Sequence, residues 1–260
     1  MEYKIPLLMT FLAGLATLLG GFITFVVKKN DLKILSVGLG FSAGVMIFLS
    51  FTEILTGAGD ILKGHFADTY KWITYIGFIA GVIVAIMIDY FVPDHIDDDL
   101  FNDSEHCARQ HKIKRAGIIT AIAIAVHNFP EGIATFMAST QNLALGASVA
   151  LAIGLHNIPE GIAVALPIYH ATGKKRIAIF YSFLTGFAEP IGALIGLALL
   201  YWFLPAYFVG ILMAMVAGIM IYISFDTLLP LSHEYGDWHY SIIGIMSGII
   251  FIWASLLLIN

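Results

Sequence analysis

The sequence predicts an all-α, polytopic membrane protein, and three observations carry that reading. Hydrophobic residues make up 59% of the 260 positions and charged residues 12%, where a soluble domain would be about a quarter charged. The apolar residues fall in long runs rather than in short alternating ones, and a helix needs roughly 20 such residues to cross the hydrocarbon core. Backbone groups in lipid must be satisfied within the segment or within a closed barrel. Runs that lack period-2 alternation and exceed barrel-strand length are therefore helices.

Eight runs qualify, taken along the chain as 5–27, 34–56, 72–92, 116–138, 143–168, 177–201, 206–229 and 240–259. The first leads into Lys28-Lys29. It is longer than the ~7–15-residue apolar core of a cleavable signal peptide, so it reads as a retained span. The fourth to sixth carry one charged residue each, Glu131, Glu160 and Glu189. The joins 139–142 and 202–205 are so short that they impose antiparallel neighbours. Placing the N-terminus outside puts Lys28, Lys29, Lys33, Arg109, Lys112, Lys114, Arg115, Lys174, Lys175 and Arg176 on inner loops. Only Lys4, Lys63 and Lys71, of the 13 basic residues, then face out. The positive-inside rule thus places both termini outside the cytoplasm. The whole of 1–260 reads as a single transmembrane domain with one sizeable polar loop, 93–115. The single cysteine, Cys107, excludes an intrachain disulfide and a cysteine-only metal site. Gly192-xxx-Gly196 and Gly244-xxx-Gly248 fit close helix contact, either within the bundle or across a homodimer face.

Two near-copies of one phrase lie at mid-span. His127-Asn128-Phe129-Pro130-Glu131-Gly132-Ile133-Ala134 recurs as His156-Asn157-Ile158-Pro159-Glu160-Gly161-Ile162-Ala163. The histidines fall near the midpoints of the fourth and fifth runs, so an antiparallel pair brings both phrases to one depth. Within each copy His and Glu are at i and i+4, and Asn and Glu at i and i+3, which places them on one helix face. Pro130 and Pro159 each remove a donor and free a carbonyl four residues back. Such breaks are tolerated where they face protein or a wet cavity, and transporters place binding sites at broken helices. Gly132 and Gly161 allow close backbone approach. Glu189-Pro190 repeats the carboxylate–proline pairing in the sixth run.

No basic residue shares these three mid-spans. An ionised side chain there costs about 3 kcal/mol on the mild insertion scale, and three cost about 10 kcal/mol by simple addition. A divalent cation would remove that cost. Imidazole with carboxylate suits zinc, iron or manganese, and amide with carboxylate suits the harder Fe(II) or Mn(II). Glu131 and Glu160, each with a His and an Asn alongside, are placed to bridge two ions.

The doubled phrase with Glu189-Pro190 resembles the signature of the ZIP family of divalent-metal transporters, and most resembles its bacterial zinc-transporting branch, along essentially the whole chain. The resemblance implies a binuclear centre. One site would comprise His127, Glu131, His156 and Glu160. The other would comprise Asn128, Glu131, Asn157, Glu160 and Glu189. It also implies uptake of zinc into the cytoplasm across a prokaryotic inner membrane, with iron, manganese, cobalt and cadmium as further cargo. Spans one, four, five and six would move against the other four. Some relatives carry Gln-Asp where His156-Asn157 stand. Met46 would lend a thioether to the first site by analogy, and Glu53 would guide ions at the outer end of span two. The expected partners are the metal ions and the bilayer, with no nucleic acid.

Loop 93–115 holds Asp94, His95, Asp97, Asp98, Asp99, Asp103, Glu105, His106 and His111, a set that reads either as a metal-receiving loop or as a solvated linker. Asp89 and Asp226 lie near inner helix ends, and His233, Glu234 and His239 form a weaker inner cluster. Trp72, Tyr75, Tyr201, Trp202, Tyr207, Trp238 and Tyr240 flank spans as interface anchors. The rival readings are an intramembrane dimetal-carboxylate enzyme and a metal sensor without flux. The chain lacks the Glu-x-x-His pairs of the former and the His-Glu-x-x-His of metalloproteases.

Overall fold

The computed structural model describes residues 3–28, 31–91, 105–141, 143–201 and 205–259, and among these every extended element is helical. Helix α1 (Lys4–Gly21) ends in a 3-10 turn, Phe22–Phe25. Helix α2 (Leu32–Leu49), whose first turn is capped by Asp31 accepting from the Ile34 N–H at 3.2 Å, continues through a π-turn, Ser50–Ile54, into α3 (Leu55–Phe66). After α4 (Tyr70–Phe91) come α5 (Glu105–Gln141) and α6 (Leu143–Thr172). Helices α7 (Lys175–Gly186) and α8 (Ala188–Tyr201) follow, then α9 (Ala206–Ile223), a second π-turn at Ser224–Leu228, α10 (Leu229–Tyr235) and α11 (Trp238–Ile259).

Seven stretches among the described residues are long and apolar enough to cross a membrane. One of them, Leu32–Phe91, has 60 residues. At ~1.5 Å per residue that is about 90 Å, three times a hydrocarbon core of about 30 Å. The stretch folds back at Ala67, whose φ of 37° is the one positive value on a non-glycine residue described, and α3 packs on α4. The chain is an all-α polytopic membrane protein.

Three boundaries differ from the hydropathy reading. Helix α5 begins at Glu105, well before 116, because residues 105–115 contain no Gly or Pro and are rich in good helix formers. Hydropathy marks where lipid begins, not where a helix does. The described part of loop 93–115 is therefore helix, while Asp94, His95, Asp97, Asp98, Asp99 and Asp103 lie outside the described residues. Helix α3 likewise carries span two beyond 56. The sixth run is two helices rather than one, interrupted at Phe187 just before Glu189-Pro190. Proline at 190 cannot donate to the carbonyl four residues back, so the helix re-forms with a new start.

Packing separates the helices into two sets. Helix α1 lies on α6, α7 and α8, and α5 lies on α6 and α8. Helix α2 lies on α11, and α9 lies on α3 and α4. The sets meet where α2 touches α6 and α5 touches α9. Glycines set the closest crossings. A Cβ at Gly161 would collide with the Thr17 carbonyl on α1, and one at Gly132 with the Glu189 backbone on α8. Gly192 sits against Phe129 of α5, and Gly244 and Gly248 sit against Val37 and Phe41 of α2. Both glycine pairs noted in the sequence are thus occupied inside the chain. Near the start of α5, Arg115 pairs with Asp89 at 3.2 Å and Lys112 with Glu234 at 2.5 Å, tying α5 to α4 and α10. His233 packs edge-on against Trp238, so the inner His233/Glu234/His239 group does not converge as a unit.

Candidate metal centre

Helices α5 and α6 run side by side, and each stays helical on both sides of its internal prolines, Pro130 in α5 and Pro159 and Pro167 in α6. Their two phrases face each other across the contact. His127, Asn128, Asn157, Glu160 and Glu189 are no more than 1% exposed, with His156 at 4% and Glu131 at 8%. All seven residues singled out by the sequence are therefore turned inward, away from lipid.

The pairing is crosswise. His127 Nε2 lies 2.9 Å from Glu160 Oε1, and His156 Nε2 lies 3.3 Å from Glu131 Oε2. His156 meets the carboxylate of the other copy more closely than that of its own, since its Nε2 is 4.0 Å from Glu160 Oε1. Glu160 therefore touches both histidines. On the adjoining side, Asn157 donates through Nδ2 to Glu189 Oε1 and, at 2.9 Å, to the Ala13 carbonyl of α1. The Asn128 side chain stands between the Thr185 carbonyl, 3.3 Å from Nδ2, and the site. With the amide turned, its nitrogen reaches His127 Nε2 at 3.0 Å and Glu160 Oε2 at 3.2 Å. Either orientation keeps Asn128 beside the end of α7, where Phe187 separates that helix from α8.

The second phrase is held by hydroxyls from neighbouring helices. Ser42 of α2 donates to the Pro159 carbonyl at 2.6 Å, and Ser182 of α7 donates to the Gly161 carbonyl at 3.1 Å. Sequence reasoning misses both serines, because an isolated Ser in an apolar run carries no signal of its partner. Met46 is buried in the apolar core alongside Leu49 and Met220. Glu53 is exposed in the first π-turn, and Asp226 is exposed in the second.

Two properties show whether this donor set fits a divalent cation. The first is spacing. Two ligands on one tetrahedral zinc with bonds of about 2.05 Å stand about 3.3 Å apart, and the three His–Glu separations, 2.9, 3.3 and 4.0 Å, bracket that value. The second is satisfaction. Asn157 Oδ1 and Glu189 Oε2 are buried and accept no hydrogen bond, a loss of about 1–3 kcal/mol per atom. Two oxygens left bare beside two carboxylate–imidazole pairs are acceptors of the kind a cation satisfies. The ligands are nonetheless spent on one another. Among the described residues no three His, Cys, Asp or Glu side chains already surround a common point. Binding an ion means exchanging the His–Glu bonds for metal–ligand bonds.

Known proteins give an independent reading. The profile described as ZIP Zinc transporter matches residues 94–255. The chain is 48% identical over 253 residues to "Zinc transporter ZupT" of Akkermansia muciniphila, covering 94% of this chain and 93% of that protein. It is 45% identical over 269 residues to the protein of the same name from Clostridium perfringens, covering 96% and 94%. For the Campylobacter jejuni protein of that name the identity is 44% over 283 residues, covering 98% and 97%. Similarity that spans both chains from end to end, with the doubled phrase inside the matched region, settles the family: the chain is a member of the ZIP zinc transporters.

Proposed function

We propose that the chain carries zinc across the prokaryotic inner membrane into the cytoplasm, through the crosswise His/Asn/Glu site between α5, α6 and α8. Zinc is the first cargo because imidazole and carboxylate suit it and because the similar proteins are named zinc transporters. Iron, manganese, cobalt and cadmium are secondary cargo. The observation that carries this reading is the gathering of three carboxylates and two imidazoles in one buried interior. Groups so placed cost too much to serve packing alone.

Glu131 and Glu160 bridge two ion positions. His127 and His156 complete one, and Asn128, Asn157 and Glu189 complete the other. Glu53 guides ions at the outer end, and Met46 is a reserve ligand only if α2 shifts. The chain crosses the bilayer eight times with both termini outside, the 60-residue stretch supplying two of the crossings. Helices α1, α5, α6, α7 and α8 move as one body against the remainder. Sliding of the two sets would exchange the polar contacts that join them, Ser42 with the Pro159 carbonyl and the Arg115–Asp89 and Lys112–Glu234 pairs.

The test is zinc-65 flux into proteoliposomes. Wild-type protein is expected to load zinc, and Glu160→Ala, reconstituted to the same density, is expected to fall to the level of empty liposomes. Undiminished flux through Glu160→Ala would remove the site assignment. Zinc binding without flux in the wild type would favour a sensor.

A further inference from the structure

A cavity of about 370 Å³ opens at the seam between the two helix sets. It falls within the range of about 300–1,000 Å³ typical of ligand pockets. Its walls are Ile23 from the 3-10 tail of α1, Val37 and Phe41 from α2, Ile162 and Leu166 from α6, and Tyr240 from α11. Gly38 forms part of the floor, where a Cβ would strike the Leu166 side chain. The only charged residue on the wall is Lys33, which lies over the Tyr240 ring with Nζ 5.2 Å from the centroid.

The depth and the mouth differ in chemistry, and that difference identifies the occupant. Below the mouth the lining offers no hydrogen-bonding side chain, so water gains nothing there, whereas an acyl chain loses no hydrogen bond on entering. At the mouth, Lys33 and the Tyr240 hydroxyl stand where a headgroup would sit. Asp31 and Asp237 are also close to Lys33, but Asp31 is engaged as the cap of α2. Nearby, Lys175 reaches the Phe25 carbonyl of the α1 tail at 3.5 Å, two residues along from Ile23 of the wall. Lys33 is the one charged group on the cavity wall itself, so a headgroup entering there meets a cation first.

We propose that this cavity is a site for an anionic phospholipid, with one acyl chain wedged between α2 and α6 and its phosphate held by Lys33 and Tyr240. The lipid joins α1 and α6 of one helix set to α2 and α11 of the other. The site lies apart from the His/Asn/Glu centre and needs no metal.

The test is lipid retention by the purified full-length chain, read by native mass spectrometry after exchange from detergent containing phosphatidylglycerol or phosphatidylcholine with identical tails. Wild-type protein is expected to keep phosphatidylglycerol in roughly fivefold preference, the effect of one lysine near an anionic surface. Lys33→Gln is expected to erase the preference while both lipids are still retained. Val37→Trp, which fills the cavity from a partly exposed position, is expected to reduce retention of both lipids, with an unchanged thermal midpoint showing that the bundle is intact. Equal retention of the two lipids by the wild type, or a preference that survives Lys33→Gln, overturns the proposal. So does full retention by Val37→Trp. None of these readouts depends on zinc flux, so failure here leaves the metal reading standing, and failure of that reading leaves this one testable.

Discussion

In the first copy of the repeated phrase, His127 and Asn128 are sealed at 1% and 0% exposure, and the asparagine faces the Thr185 carbonyl at the end of α7. In the second, Asn157 reaches two other helices, donating to Glu189 of α8 and to the Ala13 carbonyl of α1. The acidic members differ in the opposite sense. Glu131, from the first copy, is 8% exposed and meets His156, whereas Glu160, from the second, is fully buried and lies against both histidines. Near-identical sequence thus yields one carboxylate at the centre and one at the rim. Both helices are enclosed, α6 by α1, α2, α5 and α7 and α5 by α1, α6, α7, α8 and α9, so the difference is local: Glu160 lies between the two imidazoles while Glu131 meets His156. A carboxylate at the centre has no water to fall back on, so its loss leaves more groups unpaired.

The largest expected effect comes from breaking that asymmetry directly. Glu160→Gln keeps the volume and removes the charge that both imidazoles face, and flux is expected to fall to background. Glu131→Gln removes a partner from His156 alone and should retain measurable flux, with an elevated KM for zinc. Initial rates of zinc-65 uptake in proteoliposomes compare the two. Equal losses would mean that the rim and centre positions do not persist when an ion is bound.

The glycines sharpen the comparison from the packing side. Gly132→Ala would push against the Glu189 backbone, and Gly161→Ala against the Thr17 carbonyl. Overpacking of this kind costs about 1–3 kcal/mol, so both should lower the thermal midpoint in detergent by similar amounts. Gly132→Ala strains two carboxylate positions, its neighbour Glu131 and the Glu189 backbone it meets, where Gly161→Ala strains only its neighbour Glu160. Flux per folded molecule is expected to drop further for Gly132→Ala than for Gly161→Ala, and the reverse order would argue that Glu189 is dispensable.

Asn157→Ala comes next. It strips Glu189 of its only hydrogen-bond donor among the described residues and frees the Ala13 carbonyl. Losing a hydrogen bond to a charged group costs about 1.5–3 kcal/mol, which predicts roughly a ten- to hundredfold rise in KM. Asn128→Ala loses a neutral bond to the Thr185 carbonyl in one amide orientation and a bond to Glu160 in the other, so a KM shift of about fivefold marks the first and roughly ten- to hundredfold the second. A zinc titration of uptake rate separates them, and identical shifts would mean that the two asparagines serve equivalent ion positions.

The site is legible in the sequence because its residues break the local rule. A His, an Asn and a Glu beside a proline have no reason to lie in an apolar run unless they meet one another, and the repeat by itself puts both sets at one depth. The crosswise pairing is not legible, since i, i+4 spacing reports only who shares a face, not which partner on the next helix is nearer. The break at Phe187 is half visible, because Pro190 announces an interruption without fixing its position. The two π-turns escape hydropathy although the sequence carries their mark. Gly44-Val45-Met46-Ile47-Phe48-Leu49-Ser50-Phe51 is echoed by Gly218-Ile219-Met220-Ile221-Tyr222-Ile223-Ser224-Phe225. In both, the serine donates back to the methionine carbonyl, at 2.6 and 2.7 Å, where the π-turn starts. Neither repeat contains a proline, and serine alone bends helices too weakly to mark a hydropathy profile. The helical start of α5 at Glu105 is hidden for a related reason, since a charged stretch outside the lipid reads as loop whether or not it is helical.

The smallest expected effect probes the seam rather than the ligands. Ser42 is buried and donates both to the Gly38 carbonyl in its own helix, at 3.0 Å, and to the Pro159 carbonyl across the seam, at 2.6 Å. Only the second bond crosses between the two helix sets, and it grips the second copy of the phrase at its proline. A neutral hydrogen bond is worth about 0.5–1.5 kcal/mol. If the sets slide past one another, this bond must break in every cycle, and Ser42→Ala then lowers that barrier without touching a ligand. The expected outcome is a change of about two- to twelvefold in maximal flux, with KM for zinc and the thermal midpoint nearly unchanged. A shift in KM at constant maximal flux would instead mean that Ser42 holds the Pro159 carbonyl in place for the ion, and that the second copy is tuned by α2 rather than merely braced by it.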